Sequence, residues 1–212
     1  MSLPTQLPTF IPIDEATWSR EAQRLRDFLK RLERHLEGDA ALRIYGSAAV
    51  TFYTTADREP SHMTEDIDVG HPGTLGPELQ RAFQQAKAEG ADISLHLRPP
   101  GLWLAANDWP DHCIDISRPL QLNSLLIILM HPYDLIISKM VRWNERDAAD
   151  VELLQSRFTC EPSVFGARLN QAVHSSMVTD WQKEQLADIL EEIFVDETEL
   201  QSAREAATSL IF

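Results

Sequence analysis

Arg43-Ile44-Tyr45-Gly46-Ser47-Ala48-Ala49-Val50 and, beyond a polar loop, Thr64-Glu65-Asp66-Ile67-Asp68-Val69 are the stretches whose reading decides the fold of this chain. The short apolar run 42–45 has strand character and ends in a Gly-Ser turn, where small residues let backbone N–H groups approach a phosphate that a larger side chain would hold off. Asp66 and Asp68 alternate with Ile67 and Val69, so a strand there turns both carboxylates to one face and both apolar side chains to the other. Hard divalent cations take oxygen ligands, and Mg²⁺ is usually held by one or two carboxylates together with substrate phosphates. Two acids on one face repel each other unless a cation is shared between them. The plainer alternative is a surface strand with solvated acids, preceded by a turn in which Ser47 caps a helix. That capping role is compatible with phosphate binding at the same place.

Outward from this centre, Ile13-Asp14-Glu15-Ala16 opens an amphipathic helix predicted to run to about Glu37 and to stop at Gly38, with Trp18, Leu25, Phe28, Leu29, Leu32 and Leu36 on its apolar stripe. The pattern then predicts a strand at 42–45, a helix at 47–54, a strand at 66–69 and a helix at 76–89. Further strands are predicted near 93–97, 102–105, 112–116 and 123–129, with turns at Pro72-Gly73 and Pro99-Pro100-Gly101. Pro132 suits the first turn of a new helix, and the remainder reads as helices at 132–143, 146–157, 162–175, 180–194 and 197–210. The expected class is α+β (α/β-like): a mixed β-sheet flanked by helices over residues 1–131, followed by a helical region over 132–212.

Composition bounds what such a fold can do. With 43% apolar and 25% charged residues, the 212-residue chain can bury a core. A formal charge of −14 disfavours broad nonspecific binding to nucleic acid or to an anionic membrane, because neutralising phosphates requires concentrated Lys and Arg. The first helix is a local exception, carrying Arg20, Arg24, Arg26, Lys30, Arg31 and Arg34 diluted by Glu21, Asp27, Glu33 and Glu37; helix-spaced ion pairs account for such a face. Cys113 and Cys160 form neither a disulfide framework nor a zinc motif, which suits a reducing cytoplasm. The start Met1-Ser2-Leu3-Pro4 lacks the features of a secretory signal, and no segment reaches the roughly 18 uninterrupted apolar residues of a membrane span.

A Gly-Ser turn after one strand, then Asp-x-Asp on the next, resembles the DNA polymerase beta-like nucleotidyltransferase superfamily. Within it, Asp134-Leu135-Ile136-Ile137-Ser138-Lys139 followed by Arg146-Asp147-Ala148-Ala149-Asp150 resembles the Abi-type toxin nucleotidyltransferases and their uncharacterised bacterial relatives. The resemblance covers roughly residues 40 to 155. It departs from the pattern in a longer loop between Ser47 and Asp66, and it leaves the basic residue expected before the acid pair to either Arg58 or His62.

The resemblance implies transfer of a nucleoside monophosphate from an NTP such as ATP to an acceptor, with pyrophosphate released and Mg²⁺ or Mn²⁺ bound by Asp66, Asp68 and a third carboxylate. Asp115, alternating between Ile114 and Ile116, is the expected third acid, and Asp108 and Asp111 are weaker candidates in a Pro-containing loop. Gly46, Ser47 and Lys139 are the expected nucleotide-binding residues. Lys139 could instead form an ion pair with Asp147 or Asp150 that joins two helices, and Arg146 with Asp150 reads as a structural pair. Trp103, Trp109 and Trp143 could stack on a base but suit packing better. The histidines show no metal-binding spacing and are assigned no ligand role. The acceptor stays open among a small molecule, a protein and an RNA end. A non-catalytic member is the alternative: an NTP-binding or protein-binding regulatory partner, such as a toxin–antitoxin component.

Overall fold

The computed structural model describes residues 7–9, 17–58, 60, 63–70, 76–98 and 103–212. The chain forms two compact units. Among the described residues, one holds the sheet, within 17–98 and 113–130; the other gathers 7–9, 103–112 and 131–212. The 103–112 segment therefore clusters with the helical unit rather than with the sheet that precedes and follows it.

The sheet unit begins with α1 (Arg20–Glu33), then β1 (Ala40–Tyr45), α2 (Gly46–Thr51), β2 (Asp66–Gly70), α3 (Pro77–Ala88), β3 (Ser94–Arg98), β4 (Ile114–Asp115) and β5 (Leu125–Leu129). Its five strands lie in the order β3-β2-β1-β5-β4. β1 runs antiparallel to β2 with Tyr45 opposite Asp68, and parallel to β5 with Ile44 opposite Leu129. β2 and β3 are parallel, joined through α3, and place Asp68 opposite His96. The alternation read from the sequence is the alternation of the sheet: Leu42, Ile44, Ile67, Val69, Leu125, Ile127 and Leu129 are all buried. With the buried stripe Ala22, Leu25, Phe28, Leu29 and Leu32 of α1, they make this unit's apolar core. α1 packs on α3, where Phe28 meets Phe83 edge to face.

Two carboxylates of α1 tie the helix to the strands. Glu33 Oε1 accepts the N–H groups of Asn123 (2.6 Å), Ser124 (2.7 Å) and Leu125 (3.1 Å), holding the start of β5. Burial pushes the Glu33 carboxyl up, but those N–H groups outweigh it and leave it below its ordinary value. The helix stops at Glu33, short of the expected Glu37, and closes in tighter turns in which His35 N–H donates to the Leu32 carbonyl and Leu36 N–H to that of Glu33. Glu21 accepts from the Thr64 N–H at 2.6 Å and from Arg24, whose guanidinium also reaches the Thr64 carbonyl and Asp92. Thr64 precedes β2 and Asp92 precedes β3, so one acid–guanidinium pair on α1 holds the lead-ins of both strands.

The helical unit comprises α4 (Pro132–Met140), α5 (Glu145–Arg157), α6 (Pro162–Ser175), α7 (Asp180–Ile193) and α8 (Glu197–Ala206). α6 and α8 approach so closely that a Cβ on Gly166 would lie 2.1 Å from the Ala203 carbonyl oxygen. Fully buried Arg168 donates to Asp134 (2.8 and 2.9 Å) and to Asp108 (2.6 Å), which anchors the 103–112 segment. The strand expected at 102–105 is not present among its described residues, 103–105, and that segment closes in a 3-10 turn at Trp109–His112. The expected start of the first helix at 13–16 and the turns at 72–73 and 99–101 lie outside the described residues. No helix among the described residues is long and apolar enough to cross a membrane.

His131 caps α4. Its Nδ1 accepts the Tyr133 N–H at 3.2 Å and its Nε2–H donates to the Pro8 carbonyl at 3.1 Å, an arrangement only the neutral ring can make. Burial outweighs the Pro8 hydrogen bond and pushes the imidazole down to about 4 from 6.5. A depressed folded value means that the unfolded chain binds the proton first, so stability is full above pH 6.5 and falls as the pH drops toward 4. Stability should fall by about 2 kcal/mol between pH 7.5 and 5 in denaturant titrations, a loss that His131→Asn, which keeps a capping side chain but cannot titrate, largely removes. An unchanged pH slope in the variant contradicts this assignment.

Candidate active site

The Gly-Ser turn and the Asp-x-Asp strand meet. Gly46 adopts φ +65°, the left-handed region that favours glycine, at the junction of β1 and α2. A Cβ built on it would lie 3.0 Å from Asp68 Oδ2. Glycine here therefore does two things: it permits the turn, and it lets the backbone close on the carboxylate. The cap position of α2 is Tyr45, which provides no side-chain cap, so Ser47 sits inside the first turn rather than capping it. Thr51 returns a hydrogen bond to the Ser47 carbonyl at 2.9 Å and so braces the short helix behind the turn.

Asp66 and Asp68 share one face of β2, both half-buried, while Ile67 and Val69 are buried on the other. A third group joins them that the sequence reading missed. His96 Nδ1 lies 2.8 Å from Asp66 Oδ2, and one ligand atom each from Asp66, Asp68 and His96 all fall within 4.8 Å of one another. Donors bound to one metal ion at about 2.1 Å and at right angles stand roughly 3 Å apart. The cluster is thus of a size to hold a divalent cation, and with His96 half exposed it is open to a ligand. Two carboxylates and an imidazole are a chemically sound donor set for such an ion.

Asp115 does not join this cluster. It lies on β4, at the far side of the sheet with β1 and β5 between it and β2. Through the register Asp115–Ile128–Arg43–Gly70 it occupies the same face as Asp68. Three strand spacings, however, separate the two strands by about 14 Å. Its carboxylate accepts the Ser117 N–H at 2.8 Å, where β4 ends in a turn. The alternation between isoleucines identified the strand correctly but said nothing about its place in the sheet order. The strands beside Asp-x-Asp are β1 and β3, and on β3 the residue opposite Asp68 is a histidine.

Lys139 is buried in the helical unit, with its Nζ 2.5 Å from Asp150 and 3.5 Å from Asp147. This is the ion-paired alternative, joining α4 to α5, and Asp147 also receives Arg142 at 2.7 Å. Arg146 is exposed, and the expected pairing of Asp150 with Arg146 is replaced by Asp150 with Lys139. Asp108, the weaker acid candidate, binds Arg168 and His112, and Asp111 falls in the 3-10 turn. Trp103 and Trp109 pack edge to face, and Trp143 donates to Glu192 at 2.9 Å. Arg58 is exposed; His62 lies outside the described residues. Burial pushes the Cys160 thiol up to about 12, which makes it an inert core group.

A family model described as "Nucleotidyltransferase of unknown function (DUF6036)" matches residues 21–186. The chain belongs to this nucleotidyltransferase family. No curated protein and no solved structure matches it. The matched span contains the whole Gly46, Asp66, Asp68 and His96 cluster together with the Lys139–Asp150 helices.

Gly46→Ala should cost about 1–2 kcal/mol of stability from the left-handed backbone alone, and should displace the Asp68 carboxylate. The expected result is a lower midpoint of thermal unfolding with retained far-UV dichroism, and weaker divalent-cation binding. Wild-type stability and cation affinity in Gly46→Ala would show that the close approach has no consequence.

Proposed function

We propose that this protein is a divalent-cation-dependent nucleotidyltransferase of the DNA polymerase beta-like type, nearest to the Abi-type enzymes. It transfers a nucleoside monophosphate from an NTP to an acceptor and releases pyrophosphate. The observation that carries the reading is the convergence of Asp66, Asp68 and His96 against the Gly46 turn. Asp66 and Asp68 would hold Mg²⁺ or Mn²⁺. Bound there, such ions supply charge neutralisation at the triphosphate and lower the pKa of an attacking hydroxyl.

The chain's own residues do the rest. Gly46 lets the backbone turn close beside the Asp68 carboxylate, and the Gly46–Ser47 turn would meet the phosphates of a nucleotide whose metal that carboxylate holds. Arg43 stands on the same strand face as Asp68, diagonally across the β1–β2 pair, and its buried Nε has no hydrogen-bond partner. A guanidinium on this face would balance part of the charge of a triphosphate held by the acid pair. Lys139 has no part in this scheme, because its ammonium is held by Asp150 and Asp147. A preorganised group of donors and charges of this kind works by positioning and electrostatic stabilisation, the main sources of rate in phosphoryl transfer.

The test uses the full chain with each α-labelled NTP, Mg²⁺ or Mn²⁺, and fractionated cell extract, following pyrophosphate release and label transfer. Asp66→Asn should lower turnover by roughly a hundredfold or more with the fold retained. Equal turnover in wild type and Asp66→Asn rejects the reading.

A further inference from the structure

We infer that His96 is the third protein donor of this site, and that its imidazole shifts the site's preference toward the transition ions Mn²⁺ and Co²⁺ over Mg²⁺. The inference rests on the nucleotidyltransferase reading only in taking the Asp66–Asp68 face as the cation site. What identifies the donor is sheet register. β3 is the strand beside β2, the two run parallel, and Asp68 faces His96 directly while Asp66 faces Ser94. A residue opposite Asp68 on a parallel neighbour shares its face, so the register puts the imidazole on the same side of the sheet as the acids.

The spacing allows ligation. The 2.8 Å between His96 Nδ1 and Asp66 Oδ2 is close to the separation of two adjacent donors on one ion, about 3 Å. With the side chains of His96 and Asp66 49% and 34% exposed, a hydrated ion can reach the cluster and keep waters or phosphate oxygens in its remaining positions. Donor chemistry then decides the ion. Mg²⁺ favours all-oxygen surroundings, whereas imidazole nitrogen strengthens binding along the series from Mn²⁺ to Co²⁺ and beyond. A carboxylate at position 96 would make an all-oxygen Mg²⁺ site; a histidine there makes a mixed site. The competing role for His96 is a hydrogen bond to Asp66 without contact to the ion.

Two readouts on the full chain with metal alone separate these roles. Electron spin-echo modulation of the Mn²⁺-loaded protein should show coupling to a directly bound imidazole nitrogen, lost in His96→Ala and His96→Gln. Calorimetric titration should show His96→Ala weakening Co²⁺ by about tenfold or more while changing Mg²⁺ much less, and His96→Asp narrowing the gap between the two ions. Mn²⁺ bound without nitrogen coupling, equal losses for Co²⁺ and Mg²⁺ in His96→Ala, or no metal binding by the wild type each overturns the inference. Because no NTP is present, these results stand apart from the transfer assay. Nitrogen-coupled Mn²⁺ with no pyrophosphate release would reject the enzyme and leave the ligand assignment in place.

Discussion

The contact on which the candidate site depends is the approach of the Gly46 backbone to the Asp68 carboxylate. Glycine takes φ +65° at the end of β1 without strain and leaves Asp68 Oδ2 where it lies, 3.0 Å from the place a Cβ would occupy. β1 and β2 are antiparallel neighbours with Tyr45 opposite Asp68, so the turn that follows Tyr45 necessarily ends beside that acid. Once the pairing is set, the Gly46 bend and the Asp68 carboxylate occupy one place. Transfer of a phosphoryl-linked group asks for both.

The rest of the sheet unit holds this arrangement in register. Glu21 and Arg24 grip Thr64 and Asp92, the lead-ins to β2 and β3, and Glu33 grips the start of β5. Both glutamates have carboxyls held below their ordinary value, Glu21 by Arg24 and the Thr64 N–H against the opposing effect of burial. These are charge-assisted bonds from one helix to three strand ends, an economical way to fix relative strand positions. In the helical unit, Lys139 with Asp150 and Asp147 and Arg168 with Asp134 are buried ionic groups that join helices, and Arg168 also holds the half-buried Asp108 of the 103–112 segment. Their satisfaction of one another explains why charged residues at these motif positions are compatible with a core.

Much of the fold was legible because it is carried by local pattern. The alternation in Asp66–Val69 and the apolar run before Gly46 located β1 and β2, and Pro132 and Pro162 open helices where the sequence placed them. The third site residue was harder, because a spacing pattern along the chain does not report which strand lies beside which. Asp115 sits in a strand of the expected character on the wrong side of the sheet; His96 sits in Ser94-Leu95-His96-Leu97, whose alternation was visible but whose register against β2 was not. A clue was present in the helix between β2 and β3. A strand-helix-strand unit usually lays its two strands side by side and parallel, which makes β3 the expected neighbour of the acids. Arg168 escaped notice for a similar reason, since its partners Asp134 and Asp108 lie far from it in sequence.

The most direct test of this account is a crystal structure of the protein with Mn²⁺ and a non-hydrolysable NTP, with the ion located by its anomalous scattering. A peak is expected about 2.2 Å from a carboxylate oxygen of Asp66, one of Asp68 and a ring nitrogen of His96, with the triphosphate against the Gly46–Ser47 turn. Mn²⁺ or the triphosphate located elsewhere, with this cluster empty, would contradict it.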